Sequence, residues 1–134
     1  MDSRIITSGK RKTAVARAVA KLGSGKVTIN NKPREKFSFL DKLKIDEPLK
    51  ICESVLGKTD FDVAINVKGG GDKGQIDASR VALARAIVAI TKSKEVEKAF
   101  LDYDRNLLVP DVRRKEANKP GDSKARRGRQ SSFR

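Results

Sequence analysis

The most constraining feature of this sequence is a strict strand pattern that runs into three consecutive glycines and then into a long apolar segment. Over residues 61–68, Phe, Val, Ile and Val alternate with Asp, Ala, Asn and Lys, the period-two pattern of a half-buried strand. Gly69-Gly70-Gly71 ends this strand, and the aliphatic run over residues 74–91 predicts the principal helix. Asp72 and Gln75 fit an N-cap and capping box for that helix. The chain therefore combines sheet and helix.

Weaker patterns predict the elements before this unit. Residues 5–8 and 13–21 are predicted as strands, although the alternate alanines of the second segment also favour helix. Gly23-Ser24-Gly25 is a turn signal, and we expect it to form a hairpin that leads into a strand over residues 27–29. Asn30-Asn31 closes that strand.

Later patterns complete the predicted order of elements. They are a polar helical turn opened by Pro33, a helix from Asp46-Glu47-Pro48 to Gly57 with Cys52 on its apolar face, a helix over residues 94–103 and a short strand over residues 107–109. This mixture of strands and helices predicts an α+β fold, with a single mixed sheet and helices packed on one face.

Half of the net charge lies in the last sixth of the chain. The 134 residues contain 31 Lys and Arg, 17 Asp and Glu and no His, which gives a net charge of +14, and residues 113–134 hold half of it. Residues 111–134 offer too little apolar surface to offset the entropy lost on folding. We therefore predict a globular body over residues 1–110 and an extended basic tail over residues 111–134. Fully extended, this tail could reach about 80 Å.

Several classes of protein do not fit this composition. Cys52 is the only cysteine, which excludes an internal disulfide framework and a cysteine-rich zinc site and fits a reducing compartment. The longest apolar runs, residues 81–84 and 86–90, are far shorter than the roughly 18 residues of a membrane helix. The N-terminus resembles neither a secretory signal nor a transit peptide. We expect a cytoplasmic protein without a membrane partner.

Two glycine-rich segments resemble nucleotide-binding motifs, but both are better explained as turns. Residues 69–74 match G-x-G-x-x-G between a strand and a helix, yet the following interval is helical, with no second strand ending in an acid. Gly23-Ser24-Gly25-Lys26 lacks the earlier glycine and the later hydroxyl residue of a Walker A loop, since Ala20 and Val27 occupy those positions.

Catalysis has little support in the residue types present. Without histidine, acid–base work would fall to lysines or carboxylates, and the acid pairs 46–47, 60–62 and 102–104 fit capping or solvated positions. We predict no catalytic residue, no metal site, no cofactor and no small-molecule substrate.

The basic residues point to a polyanion. Gly9-Lys10-Arg11-Lys12-Thr13 places three cations beside a strand that continues with Arg17 and Lys21 on one face. Together with the basic tail, this stripe favours a nucleic-acid surface over an ordinary solvated face. In the tail, Phe133 could stack on a base or ribose.

Three segments together resemble the family of small-subunit ribosomal protein nine. They are residues 9–18 (Gly-Lys-Arg-Lys-Thr-Ala-Val-Ala-Arg-Ala), residues 67–71 with Gly74-Gln75, and residues 126–134. The similarity covers nearly the whole chain, in order. The ending Gln130-Ser131-Ser132-Phe133-Arg134 resembles the archaeal and eukaryotic pattern, Gln-Lys-Ser-Tyr-Arg, and an archaeal source is expected.

This resemblance implies a structural protein of the ribosome that is not an enzyme. It implies three partners: small-subunit ribosomal RNA, neighbouring head proteins, and the peptidyl-site tRNA, whose anticodon stem-loop the tail would reach. The residues expected to bind ribosomal RNA are Lys10, Arg11, Lys12, Arg17, Arg113, Arg114, Lys115, Lys124 and Arg126. The residues expected to contact tRNA are Arg127, Arg129, Phe133 and Arg134, with Phe133 in the place of the usual tyrosine.

Two alternatives stay open from the residues alone. Basic domains with arms also bind nucleic acid outside the ribosome or act as RNA chaperones. An enzyme, such as a small RNA-processing nuclease or a nucleotide binder that uses residues 69–74, is the second alternative.

Overall fold

The computed structural model describes residues 4–109 and 112–113. Its strands are β1 (Ile5–Arg11), β2 (Ala14–Leu22), β3 (Val27–Ile29), β4 (Lys32–Pro33) and β5 (Phe61–Lys68). Its helices are α1 (Phe39–Leu56), α2 (Asp72–Thr91) and α3 (Lys94–Tyr103), with short 3₁₀ turns at Arg34–Lys36 and Arg105–Leu107. The strands form one sheet in the order β1-β2-β5-β3-β4, in which only β3 and β5 run parallel. The predicted α+β class with one mixed sheet is confirmed.

Residues 14–22 form a strand although their alanines favour helix, because buried and exposed positions alternate along this segment. Ala14, Ala16, Ala18 and Ala20 are fully buried on one face, while the residues between them lie on the open face. These small side chains let α2 pack close to the sheet, where it contacts β1, β2 and β5. The same face of β1 carries a glycine where the helix passes. Small residues on one side of the sheet therefore set the position of α2.

All three helices lie on this alanine-lined side of the sheet. α2 covers the sheet, α1 packs against α2, and α3 packs against α1. The large side chains that fill the core are Ile45, Val63, Ile65, Leu83, Ile87, Val96, Phe100 and Leu107. Cys52 is also fully buried, as its place on the apolar face of α1 predicted, and burial raises the pKa of its thiol. None of the helices within residues 4–109 covers the opposite side of the sheet.

The predicted hairpin at Gly23-Ser24-Gly25 is wrong. β3 does not pair with β2, because β5 lies between them: it is antiparallel to β2 and parallel to β3. The connection crosses the beginning of β5, where the Asp62 carboxylate accepts hydrogen bonds from the backbone N–H groups of Ser24, Gly25 and Lys26 at 2.9–3.0 Å. The real hairpins are β1–β2 and β3–β4, and the second turns at Asn30-Asn31 with positive φ at both residues.

The predicted start of α1 at Asp46 is also wrong. The helix begins at Phe39, with Ser38 as its N-cap, and Pro48 lies inside it. The two acids that suggested a helix start are instead ion-pair partners: Asp46 binds Arg34, and Glu47 binds Arg80 at 2.5 Å. Acidic residues are stabilised beside a partly buried cation as well as at a helix N-terminus. Two neighbouring acids therefore do not by themselves predict where a helix begins.

Two further details differ from the sequence-based expectations. The predicted strand over residues 107–109 is wrong. Leu107 ends the 3₁₀ turn Arg105–Leu107, and the Leu108 carbonyl accepts a hydrogen bond from the Arg85 side chain at 3.0 Å instead of pairing with a strand. The N-cap of α2 is Gly71 rather than Asp72. Four strands precede α1, and within residues 4–109 no strand follows α3.

Candidate nucleic-acid interface

The two most distinctive segments of the sequence meet at one end of the sheet. The β1–β2 turn consists of Lys12 and Thr13, and the β5–α2 turn consists of Gly69, Gly70 and Gly71. A Cβ on Gly69 would lie 2.5 Å from the carbonyl oxygen of Thr13, so this contact needs glycine. Gly69 also has a φ of 80°, which favours glycine independently. The two turns are packed directly against each other.

Gln75 ties the glycine turn to α2. Its side-chain amide donates a hydrogen bond to the Gly69 carbonyl at 3.1 Å, while its backbone N–H donates to the Gly71 carbonyl at 2.9 Å. The residue expected to form a capping box therefore closes the turn through a different acceptor. A cleft of about 280 Å³ lies between the turns, and it is lined by Arg11, Lys12, Thr13, Gly70, Gly71, Lys73, Gly74 and Asp77.

Exposed lysines surround this junction. Lys10, Lys12 and Lys68 are exposed, and among the described residues none of them has an acidic partner. Lys73, in the first turn of α2, binds Asp41 at 2.8 Å and still exposes 66% of its side chain. This hydrogen bond is the main reason that the pKa of the Asp41 carboxyl is lowered. The end of the sheet is therefore strongly positive.

Strand register extends the positive surface across the open face of the sheet. Lys10 of β1 and Lys68 of β5 both lie opposite Val15, one on each side of β2. One pair of residues further along, Arg17 lies between Ser8 and Asn66. Neighbouring strands are about 4.8 Å apart, so the two lysines are separated by roughly 10 Å. The predicted basic stripe is present on the face of the sheet opposite to α1, α2 and α3.

Arg11 points to the other side of the sheet. Its Nε lies 3.9 Å from the Asp77 carboxylate of α2, and only a quarter of its side chain is exposed. The arginines of α2 also lie within the body: Arg80 joins Glu47 and Asp104, and Arg85 binds backbone carbonyls. The geometry therefore gives Arg11 a structural contact that Lys10 and Lys12 lack.

The chain leaves the body beside this basic end. Arg85 donates from Nε to the Leu108 carbonyl and from Nη1 to the Ser8 carbonyl at 2.9 Å, which holds the last turn of the body against β1. Arg113 is exposed and lines a cleft of about 180 Å³ together with Lys10 and Arg11. The other predicted tail residues lie outside the described residues: Arg114, Lys115, Lys124, Arg126, Arg127, Arg129, Phe133 and Arg134.

Five of the six acidic residues considered as catalytic or metal-binding groups have structural partners, and the sixth, Asp102, is exposed. The three backbone N–H groups that bind Asp62 lower the pKa of its carboxyl, with Lys26 as the largest contributor. Asp60 binds Lys58 at 2.9 Å, and Asp104 accepts from the Asn106 backbone. Within residues 4–109 and 112–113, no three His, Cys, Asp or Glu side chains are grouped as a metal site would require. In the same ranges, no helix has the length and hydropathy to cross a membrane.

Comparison with known proteins decides the family. Residues 9–134 match the family described as ribosomal protein S9/S16. The chain belongs to this family. It is 52% identical over 131 residues to the small ribosomal subunit protein uS9 of Thermoplasma acidophilum, a match that covers 97% of this chain and all of the relative. The protein of the same name from Thermoplasma volcanium is 50% identical, over 97% of this chain and 98% of the relative. The one from Picrophilus torridus is 45% identical over the full length of both.

Family membership confirms the coarser part of the predicted function. The chain is a structural protein of the small ribosomal subunit, and binding of ribosomal RNA is general for the S9/S16 family. Its place is the ribosome in the cytoplasm, and it is not an enzyme. The archaeal character expected from the chain's ending agrees with these archaeal relatives. In this S9/S16 protein residues 69–71 form the turn from β5 to α2, residues 72–74 begin α2, and α2 is followed by α3 rather than by a second strand.

Two cations of this end were not among the predicted site residues. Lys68 ends β5, and Lys73 lies in the first turn of α2. The period-two pattern places Lys68 on the open face, but only the β2–β5 register places it beside Lys10 and Arg17. Lys73 could have been noticed as a cation directly after the glycine turn. Both belong to the same surface as the predicted residues.

Proposed function

We propose that the body of this S9/S16 protein binds the backbone of small-subunit ribosomal RNA through its basic end, and that its tail reaches the anticodon stem-loop of the peptidyl-site tRNA. The proposal is carried by one observation. The β1–β2 turn and the glycine turn meet at the end of the sheet where Lys10, Lys12 and Lys68 are exposed without an acidic partner among the described residues.

Unpaired lysines on a rigid hairpin suit phosphate binding. Each cation that neutralises a phosphate releases condensed counterions, which supplies affinity without sequence specificity. The glycine turn packs against the backbone of the β1–β2 turn at Thr13, and this contact fixes the backbone that carries Lys12. Arg17 and Lys68 extend the same surface along the open face of the sheet. Arg11 contributes by holding the hairpin to α2 through Asp77.

The tail proposal rests on charge, reach and the point of exit. The last described residues leave the body beside Lys10, where Arg85 holds the Leu108 carbonyl. A segment with no core of its own can follow a crevice in RNA that is too narrow for a domain. Arginine suits its far end because the planar guanidinium can bridge phosphate oxygens and stack on a base. The family resemblance assigns Arg127, Arg129, Phe133 and Arg134 to the tRNA, and the chemistry of this arginine-rich end suits that role.

Charge reversal tests the body surface. The double variant Lys10→Glu with Lys12→Glu is compared with the control Lys94→Glu with Lys98→Glu, which changes the same charge on exposed positions of α3. Binding to a fragment of the small-subunit RNA head is measured across a range of salt concentrations. We expect the log–log slope of the first variant to fall by about 0.7 to 0.9 for each phosphate that the protein no longer neutralises. Equal effects of the two pairs would contradict the assigned surface.

Truncation tests the tail independently. Removal of Phe133 and Arg134 is expected to leave assembly into small subunits intact and to weaken retention of tRNA in the peptidyl site. The control Ser131→Ala with Ser132→Ala keeps both residues and is expected to retain tRNA normally. Loss of assembly with normal tRNA binding would refute the assignment of the tail.

A further inference from the structure

The first two turns of α1 leave a cluster of large apolar side chains in water. The exposed fractions are 74% for Phe39, 65% for Leu40 and 37% for Leu43. Their spacings of three and four residues place them on one face of the helix, whereas Ile45 of the same segment is fully buried on the other. Single exposed apolar residues are common, but a contiguous group on one helix face marks an interaction surface.

Cations border this apolar cluster on both sides. Lys42 follows Phe39 by three residues, and Lys44 follows Leu40 by four, so the two lysines flank the cluster around the helix. Lys44 also binds Asp77 of α2 at 3.4 Å, so Lys42 is the flanking cation that has no acidic partner among the described residues. The acid within the cluster, Asp41, is turned away from solvent with 13% of its side chain exposed and is bound by Lys73. The surface therefore combines apolar contact area with a positive charge at its rim, which is carried mainly by Lys42.

We propose that Phe39, Leu40 and Leu43 dock against a neighbouring protein of the small subunit, through a segment of that protein that offers apolar side chains and net negative charge. This inference rests on the proposed function, because it places the partner in the assembled subunit. Apolar side chains at the centre and opposite charges at the rim are the usual composition of a protein–protein interface.

The two other occupants fit this surface less well. An RNA base could stack on the ring of Phe39. Leu40 and Leu43, however, have no flat face for stacking and no polar group that could bind a phosphate. A second copy of the chain would bring the same lysines and another net charge of +14 to the contact. Like charges brought together in this way oppose association.

Site-specific photo-cross-linking tests the proposal in the full chain. Phe39 is replaced by the aromatic analogue p-benzoylphenylalanine, which keeps a ring at this position, and small subunits that contain the variant are purified before irradiation. The same probe at Leu22, which is 75% exposed at the end of β2, serves as the control. The expected product joins position 39 to a small-subunit protein, and its mapped peptide contains apolar and acidic residues. A cross-link from position 39 to ribosomal RNA or to a second copy, or no product, would overturn the proposal.

A charge variant tests the rim. Adding Lys42→Glu is expected to reduce the yield of the protein cross-link about fivefold, whereas Lys98→Glu on α3 leaves it unchanged. An unchanged yield with Lys42→Glu would refute the acidic character of the partner segment. If the probe at position 39 prevents incorporation, the same probe at Leu40 replaces it. Incorporation into small subunits is measured separately by mass spectrometry. If the proposed RNA contacts are wrong, incorporation shows it; if only the docking surface is wrong, incorporation is normal and the expected cross-link is missing.

Discussion

Gly9 of β1 lies directly against the backbone of Ala78 in α2. A Cβ on Gly9 would be 2.4 Å from the Ala78 carbonyl oxygen and 2.6 Å from the Ala82 backbone nitrogen. The neighbouring Thr7 hydroxyl donates to the Ala82 carbonyl at 3.0 Å, so strand and helix are joined at this point by both packing and a hydrogen bond. This contact fixes the strand that leads into the Lys10–Lys12 hairpin.

The variant Gly9→Ala is therefore expected to destabilise the fold. The added methyl group meets helix backbone, which cannot move aside as a side chain could, and overpacking of this kind costs about 1–3 kcal/mol. Urea unfolding of the isolated protein measures the free energy of unfolding. The control Ser8→Ala, at an exposed position beside it, is expected to change that free energy far less. A neutral Gly9→Ala would show that β1 and α2 are not closely packed.

A second prediction concerns the glycine turn. Gly69→Ala combines a φ of 80° with a Cβ 2.5 Å from the Thr13 carbonyl, and should destabilise by about 1–3 kcal/mol. Gly71→Ala is the matched control two residues away, because its Cβ would have no neighbour within 4 Å and its φ is −98°. We expect Gly69→Ala to lower both the melting temperature and the affinity for ribosomal RNA. Equal behaviour of the two variants would refute the contact between the turns.

A third prediction concerns the pH dependence of stability. Because the pKa of Asp62 is lowered in the folded state below its ordinary value of 3.8, its charge stabilises the fold above that value. This stabilisation is lost as the pH falls below 3.8 and through the lowered folded pKa. Asp62→Asn should therefore reduce the free energy of unfolding at neutral pH and lose most of that difference in acid. Asp60→Asn, which removes the exposed pair with Lys58, should show a much smaller change. A pH-independent effect of Asp62→Asn would contradict the ionic part of this account.

A fourth prediction concerns Arg80, which joins the three helical elements. It binds Glu47 of α1 at 2.5 Å and Asp104 after α3 at 3.4 Å, with 15% of its side chain exposed. Replacement by glutamine leaves two carboxylates without their cation and is expected to cost about 2 kcal/mol. Denaturant titration measures this loss, and Lys58→Gln, in an exposed pair, provides the control. A loss no larger than that of the control would show that the network adds nothing to stability.

Most of the elements could be predicted from the sequence, whereas the pairing of the strands could not. The alternation in residues 61–68 and the aliphatic run of α2 are local signals, and both predictions are confirmed. The order of strands depends on β5, which enters between β2 and β3 from a distant part of the chain. The hydrogen bonds from the backbone of residues 24–26 to Asp62, which fix this arrangement, are formed only in the folded state. The turn signal at Gly23-Ser24-Gly25 alone could not distinguish this crossing connection from a hairpin.

The candidate interface was predictable in part for the same reason. The basic segment with Lys10 and Lys12 and the stripe through Arg17 are visible as runs and alternations of charge. Lys68 joins them only through the register of β5 with β2, and Arg11 is separated from them only by its contact with Asp77. The place of Lys68 depends on how two distant strands pair, and the place of Arg11 depends on which face of the sheet α2 covers. Neither is visible in the local sequence.

Directed hydroxyl-radical probing from the hairpin tests the central claim most directly. The native Cys52 is fully buried and its thiol pKa is raised, so an introduced cysteine is the preferred site for an iron chelate. The chelate is attached to Lys12→Cys and, as control, to Lys98→Cys, and both proteins are assembled into small subunits. We expect strong cleavage of one compact region of ribosomal RNA from position 12 and weak cleavage from position 98. Cleavage from position 98 that equals or exceeds that from position 12 would contradict the assignment of the RNA-binding surface to the hairpin.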